Sequence, residues 1–222
     1  MKLYVLSFLS MIPAIVFAQW KPVGDKIKTR WADEITVDNV LPEYPRPIME
    51  RDEWLSLNGL WDYAITQVGM GKPTGYDGKI LVPFAIESSL SGVQKTLGKE
   101  KELWYSREFS IPFKWKERDV LLHFGAVDWK TEVWVNNIKV GEHTGGFTPF
   151  TFDITQALKN SENNLVVKVW DPTEKGTQPR GKQVSNPHGI WYTPVSGIWQ
   201  TVWLEPVAAQ PVSYTHLRAH ET

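Results

Sequence analysis

One long connection in the sequence concentrates the side chains that could do chemistry. Between Trp170 and Ile198 the chain reads DPTEKGTQPRGKQVSNPHGIWYTPVSG, with four prolines and four glycines. Loops this long are uncommon in compact domains and are often functional. A few polar groups beside flat rings are typical of a saccharide site. The side chains that we expect to contribute are Asp171, Arg180, Lys182, Gln183, Asn186, His188, Trp191 and Tyr192.

Asp171 has two possible roles in this connection. It follows a predicted strand and precedes Pro172. At the rim of a β-sandwich its carboxylate could accept hydrogen bonds from sugar hydroxyls. It could equally start a turn by accepting a hydrogen bond from the backbone two residues further on. The charged loop residues could likewise be no more than a solvated surface. His188 has no His or Asp at metal-ligand spacing, so we predict neither a metal nor another cofactor.

The sequence carries no recognisable catalytic constellation. It lacks cysteine, G-x-S-x-G, a phosphate-binding glycine loop and H-E-x-x-H. A retaining glycosidase needs two carboxylates about 5–5.5 Å apart, one on each side of the scissile bond. No such pair stands out among the 25 acidic residues. We therefore predict that this chain contributes no catalytic residue.

Composition points away from two classes of partner. The net charge is −1 and no long run of one sign occurs, so we expect neither nucleic acid nor an anionic membrane as a partner. The chain has 12 tryptophans, most of which a core would use as bulk. Sugar rings stack on such rings through their C–H faces, so the count is a weak indication of carbohydrate.

The N-terminus is typical of a secretory signal peptide. Lys2 precedes an apolar stretch from Leu3 to Phe17, and Ala18 ends a suitable cleavage site. The stretch is short for a membrane anchor and is broken by Pro13. We therefore predict a signal peptide over 1–18 and an exported protein, periplasmic or secreted. The proline-rich residues 19–44 are predicted to form an arm over the domain surface.

The rest of the chain predicts an all-β domain. Short strand patterns recur with no convincing long helix, which favours a jelly-roll β-sandwich over a parallel α/β sheet. Asn136-Asn137 is suited to the positive φ angles of a type I′ hairpin turn, and Thr155 is a plausible N-cap for a helical turn over 155–160. The predicted strands are 57–65, 80–86, 103–111, 119–127, 131–143 as a hairpin, 149–154, 163–170 and 197–207.

Five sequence blocks carry a family resemblance. In this order the chain contains RPIMERDEWLSLNGLWDYAI, VPFAIES, LWYSREFSIP, LLHFGAVDWKTEVWVNNIKVGEHTGGFTPFTFDIT and GIWYTPVSGIWQTVWLEP. Together, over residues 45–207, they resemble the N-terminal sugar-binding domain of glycoside hydrolase family 2. That family includes β-galactosidases, β-glucuronidases and β-mannosidases. The resemblance implies a jelly-roll, galactose-binding-like sandwich.

The resemblance also implies what the whole protein would do. In the family an immunoglobulin-like sandwich and a (β/α)₈ barrel follow, and the barrel carries two catalytic glutamates. The chain would then be a fragment of a retaining β-glycosidase, inactive alone, whose partners are a terminal β-linked sugar and its own C-terminal domains. Asp171 matches an aspartate that contacts the bound sugar in β-galactosidase-like members, and Trp191 and Tyr192 lie in a loop that borders the cleft. A stand-alone carbohydrate-binding module and a docking scaffold are the alternatives.

The last residues differ abruptly from the rest. VSYTHLRAHET, residues 212–222, can be encoded by a string that matches one frame of a transposon-derived sequencing-library adapter. Our hypothesis is that 208–222 is a non-native tail with translated adapter from residue 212. A natural disordered terminus is the alternative, and a genomic contig read across Pro211 distinguishes the two.

Overall fold

A computed structural model describes residues 20–24 and 28–208. The predicted signal peptide and residues 209–222 of the predicted tail lie outside the described residues. The strands are β1 (Leu55–Ser56), β2 (Gly59–Gln67), β3 (Gly78–Val82), β4 (Lys101–Phe109), β5 (Asp119–Phe124), β6 (Val127–Asp128), β7 (Lys130–Val135), β8 (Ile138–Thr144), β9 (Phe150–Asp153), β10 (Asn163–Trp170), β11 (Gly197–Ile198) and β12 (Val202–Val207). Single 3₁₀ turns cover Arg30–Glu34, Ser89–Ser91, Phe113–Trp115 and Thr155–Ala157.

The strands form two large antiparallel sheets and one small one. The six-stranded sheet has the order β3-β2-β4-β10-β7-β8, and the four-stranded sheet has the order β1-β12-β5-β9. The two-stranded sheet pairs β11 with β6. The predicted all-β fold class is confirmed.

One apolar core lies between the two large sheets. Its side chains come from alternating positions, such as Leu103 and Tyr105 on β4 facing Leu122 and Phe124 on β5. Trp61 is completely buried there, and its indole N–H donates to the Leu57 carbonyl oxygen at 2.8 Å. Burying a large apolar side chain contributes roughly 1.5–3 kcal/mol, so this core can hold a domain together without disulfides.

The structure corrects several predicted boundaries. The predicted strand 80–86 ends at Val82, because Pro83 has no N–H for a ladder. The predicted hairpin turn is confirmed, with φ angles of 51° and 67° at Asn136 and Asn137. Thr155 is not an N-cap: Ile154 occupies that position, and the Thr155 hydroxyl instead accepts from the Val120 N–H at 2.9 Å.

The predicted strands 119–127 and 197–207 are each interrupted in the structure. The first divides into β5 and β6, and the second into β11 and β12. Between β5 and β6 the Gly125 N–H donates to the Thr201 carbonyl oxygen at 2.9 Å. The two interruptions therefore lie side by side, and beyond them β6 and β11 pair as a separate small sheet.

Residues 44–51 pack against the four-stranded sheet around a buried carboxylate, Glu205. Its Oε1 accepts from the Tyr44 hydroxyl at 2.6 Å and from the Trp203 indole at 2.7 Å, and its Oε2 accepts from Arg51 at 3.2 Å. Burial alone would raise the pKa of Glu205, but these hydrogen bonds and the nearby cations hold it below its ordinary value. Glu205 therefore ties this segment to β12 as an ionised group.

Candidate functional site at the loop end of the sandwich

The long connection leaves and re-enters the sandwich beside the small sheet. It leaves after Trp170 at the end of β10 and returns at Gly197, which pairs with Asp128 on β6. The sequence-predicted site residues therefore lie on a loop whose two ends are anchored at one end of the sandwich. We call residues 171–196 the site loop.

Asp171 closes the two ends of the site loop. It is buried, with 2% of its surface exposed. Its Oδ1 accepts from the Thr173 N–H at 2.7 Å, and its Oδ2 accepts from the Ser196 hydroxyl at 2.7 Å. The turn role considered from the sequence is thus present. The carboxylate lies beneath the loop rather than on an exposed rim, and its contact with a sugar stays a prediction.

Two further buried carboxylates, Glu87 and Asp128, lie near Asp171. Sequence reasoning missed both. The Ser196 N–H donates to Glu87 Oε2 at 2.9 Å, so Ser196 joins Glu87 to Asp171. Asp128 accepts from the Gln183 side-chain amide at 3.3 Å. Glu87 and Asp128 are both 3% exposed. Both lie within blocks that carry the family resemblance, directly after apolar runs. This position in the sequence was the signal that could have identified them as site residues.

Burial raises the pKa of all three carboxyls, Glu87, Asp128 and Asp171, which we call the carboxylate anchor. Burial raises the pKa of Glu87 to about 7 and the pKa of Asp128 to about 7, and the negative charge of Asp171 adds to both shifts. Burial also raises the pKa of Asp171, against the hydrogen bonds that it accepts from Ser196 and Thr173. Taking charged carboxylates out of water is costly, and like charges nearby add to the cost. Glu87 and Asp128 of this anchor therefore titrate close to neutral pH.

The site loop has its own internal hydrogen bonds. Glu174 Oε2 accepts from both the backbone N–H and the hydroxyl of Ser185, at 2.8 and 2.7 Å. Burial would raise the pKa of Glu174, but these bonds and Lys175 lower it to about 2. The Arg180 guanidinium donates to the Glu174 carbonyl oxygen at 3.0 Å. These contacts give the loop a defined shape.

Four of the eight site residues named from the sequence form two pairs, each of a cation and an aromatic ring. The Arg180 guanidinium lies over the Trp191 ring at 5.7 Å, and the Lys182 ammonium lies over the Tyr192 ring at 5.9 Å. Trp191 is half-buried, whereas Tyr192 is 64% exposed. His188 is exposed, with Nδ1 2.7 Å from the Asn186 carbonyl oxygen, and its own carbonyl accepts from the Trp191 N–H at 2.9 Å. Asp171 is not part of these pairs and is buried in the carboxylate anchor.

A neighbouring loop adds a further aromatic side chain at this end. Phe147 is exposed and meets Trp199 edge-on, with ring centroids 6.2 Å apart. The Trp199 indole donates to the Gly146 carbonyl oxygen at 2.7 Å. A Cβ on Gly146 would lie 2.5 Å from the Asp128 carboxyl carbon, so this loop packs directly on the carboxylate anchor.

The part of the chain that the structure describes contains neither a cluster of metal ligands nor a membrane-spanning helix. Over residues 20–24 and 28–208, no three His, Cys, Asp or Glu side chains are grouped to hold a metal ion. Within the same ranges, no helix has the length and apolar character needed to cross a membrane.

Solved structures share the fold. A β-glucuronidase from Lactobacillus rhamnosus is 28% identical, with a TM-score of 0.56, and the match covers 74% of this chain and 30% of that one. A β-glucuronidase from Ruminococcus gnavus in complex with D-glucuronic acid is 23% identical, with a TM-score of 0.57 over 74% of this chain and 31% of that one. At 23% identity, the similarity to the Ruminococcus gnavus structure concerns the fold alone.

Sequence comparisons identify the family. A β-galactosidase from Thermoanaerobacter pseudethanolicus is 38% identical over 104 residues, 46% of this chain and 13% of its own. A β-glucuronidase from Paenibacillus borealis is 26% identical over 146 residues, 63% of this chain and 24% of its own. The chain thus matches a quarter or less of the length of these relatives. Residues 54–205 match the family described as glycosyl hydrolases family 2, sugar binding domain. This chain therefore belongs to glycosyl hydrolase family 2 and carries the sugar-binding domain of that family.

Proposed function

We propose that this chain is the sugar-binding part of an exported, retaining β-glycosidase, and that the site loop forms part of its sugar-binding surface. The observation that carries the proposal is the pair Trp191 and Tyr192, flanked by Arg180 and Lys182 on an anchored loop. The relatives named β-galactosidase and β-glucuronidase support a β-linked sugar as the substrate.

The arrangement offers a sugar two kinds of contact. The exposed face of Tyr192 and the half-buried Trp191 can stack on the apolar face of a sugar ring. Asp171 is 2% exposed beneath the loop, so a sugar hydroxyl reaches it only if the site loop moves. Its carboxylate has about four acceptor positions, of which Thr173 and Ser196 use two. A hydroxyl that reaches Asp171 would therefore find an acceptor without breaking the anchor.

Replacing Trp191 with alanine is expected to weaken sugar binding about fivefold to tenfold, since one stacked ring contributes about 1–1.4 kcal/mol. The affinity of the purified chain for a methyl β-galactoside and a methyl β-glucuronide can be measured by NMR titration. Trp31→Ala is a matched control, because Trp31 is also exposed and also carries an arginine over its ring, Arg30 at 4.6 Å. Equal weakening by both variants would contradict a specific role for the site loop.

The chain alone is expected not to hydrolyse glycosides. Retention requires a nucleophile and an acid/base that both reach the anomeric centre, whereas Glu87, Asp128 and Asp171 are buried and hold the site loop. Chromogenic β-galactosides and β-glucuronides, incubated with the purified chain, should release no chromophore above buffer. Turnover that is lost in Asp171→Asn would contradict this proposal and place catalysis in the chain itself.

The stand-alone binding module remains the second candidate, because the exposed aromatic pair would serve it equally well. The native reading frame beyond Pro206 separates the two. A frame that continues into further domains with paired glutamates supports the glycosidase, and an immediate stop codon supports the module. Export is tested separately by N-terminal sequencing of the protein from the culture medium or periplasm, where Gln19 is the expected first residue.

A further inference from the structure

Gln183 connects the site loop to the body of the sandwich. Its side-chain amide nitrogen donates to Asp128 Oδ2 at 3.3 Å, and its amide oxygen accepts from the Val195 N–H at 2.6 Å. Asp128 belongs to β6, whereas Val195 lies on the returning end of the loop. Both ends of one amide are therefore used, which fixes the orientation of the side chain.

The backbone of Gln183 lies directly beside the aromatic pair. Gln183 and Tyr192 form a parallel β-bridge. The Tyr192 N–H donates to the Lys182 carbonyl oxygen at 2.8 Å, and the Val184 N–H donates to the Tyr192 carbonyl oxygen at 3.0 Å. The residue that faces Tyr192 across this bridge is thus the one whose side chain reaches β6.

Other described hydrogen bonds of the loop side chains act locally. Glu174 bonds to Ser185, and Gln178 donates to the Thr173 carbonyl oxygen at 2.6 Å, both within the loop. Asp171 and Ser196 fix the two ends of the loop. Neither set of contacts reaches from the bridge at Tyr192 to a strand of the sandwich, as the Gln183 side chain does.

We propose that Gln183 is the positioning residue that holds the Trp191–Tyr192 segment against the sandwich through Asp128. Without its amide, the bridge at Tyr192 would have no side-chain connection to β6, and the two rings would lose their fixed position. The positional role stands on the geometry alone. Its consequence for sugar affinity rests on the proposed function.

Amide hydrogen exchange of the whole chain tests the proposal. In Gln183→Ala, the protection factors of the Tyr192 and Val184 amides are expected to fall about tenfold, with those of Tyr105 and Val167 on β4 and β10 unchanged. Gln178→Ala is the matched control, because it removes a glutamine of the same loop whose bond stays local. It should leave the Tyr192 and Val184 amides protected.

A second variant keeps the test decisive if the alanine variant folds poorly. Gln183→Met retains the length of the side chain but neither donates to Asp128 nor accepts from Val195, so it should produce the same selective loss of protection. Unchanged protection at Tyr192 in both variants would overturn the proposal. An equal loss in Gln178→Ala, or an equal loss at Tyr105 and Val167, would overturn it as well.

Sugar affinity separates this inference from the function it extends. If the wild-type chain binds sugar, Gln183→Ala should weaken the affinity about as much as Trp191→Ala does. Selective loss of protection in a chain that binds no sugar would support the positional role and contradict the proposed function. Undiminished affinity despite lost protection would overturn the consequence for binding.

Discussion

The Glu205→Ala variant is expected to lose about 2–4 kcal/mol of the free energy of unfolding, since each buried donor left without an acceptor costs about 1–3 kcal/mol. Glu205 is 3% exposed and accepts from Tyr44, Arg51 and Trp203. Its removal takes this acceptor from the donors and takes the counter-charge from the arginines beside it, which are partly exposed. Arg46 is one of these arginines, and its guanidinium lies 3.6 Å from Glu205 and 5.2 Å from the Trp203 ring centroid.

Urea unfolding followed by tryptophan fluorescence measures the loss. Glu162→Ala is the matched control, because Glu162 is exposed and should change stability by less than about 0.5 kcal/mol. Glu205→Gln keeps one acceptor, so its loss of unfolding free energy should lie between those of Glu205→Ala and Glu162→Ala. A loss below about 1 kcal/mol in Glu205→Ala would show that the segment 44–51 is not held through this carboxylate.

Stability is expected to fall as pH rises from about 5 to about 8, because of Glu87 and Asp128. Their folded-state pKa values are raised from 4.5 and 3.8 to about 7. A raised carboxyl pKa means that the folded state holds a proton that the unfolded state has released. The stabilisation is therefore complete below the unfolded pKa and is lost as pH rises through about 7. The full loss is on the order of 3 kcal/mol for each group.

The double variant Glu87→Gln, Asp128→Asn isolates this effect. Its amides keep acceptors for Ser196 and Gln183 but do not titrate. The difference in unfolding free energy between wild type and variant should thus shift in favour of the variant between pH 5 and 8. Comparing wild type with the variant also cancels the contribution of His123 to stability. Burial lowers the pKa of His123 to about 4, so its effect on the free energy of unfolding has the opposite pH dependence at acid pH. A difference that stays constant with pH would show that these carboxyls are not protonated in the folded chain.

Much of the fold follows from local sequence. The alternating pattern of β2 predicts that Trp61 and Tyr63 face the core, and two consecutive asparagines predict the hairpin turn at Asn136. The ends of the strands were harder to predict than the strands themselves. β3 ends at a proline, one interruption follows β5 and another precedes β12, and both interruptions depend on how these strands pair. Thr155 shows the same limit, since its hydroxyl is used by a neighbouring strand.

The candidate site was predictable in its surface residues and not in its anchor. The composition of the loop marked Arg180, Trp191 and Tyr192, which the structure brings together. Glu87 and Asp128 were missed because they precede Asp171 by 84 and 43 residues in the sequence and only the fold brings them near it. The burial of Asp171 was likewise not visible locally, because Ser196 closes over it from the far end of the loop.

Mapping the tryptophan indole N–H signals during a sugar titration shows whether the site loop binds sugar. The signals can be assigned by single Trp→Phe variants. We predict that the Trp191 signal shifts saturably with a methyl β-galactoside or β-glucuronide. The signals of the stacked pair Trp104 and Trp134, on the outer face of the six-stranded sheet, should stay in place. Shifts at Trp104 and Trp134 with none at Trp191, or no shift at millimolar sugar, would contradict the account.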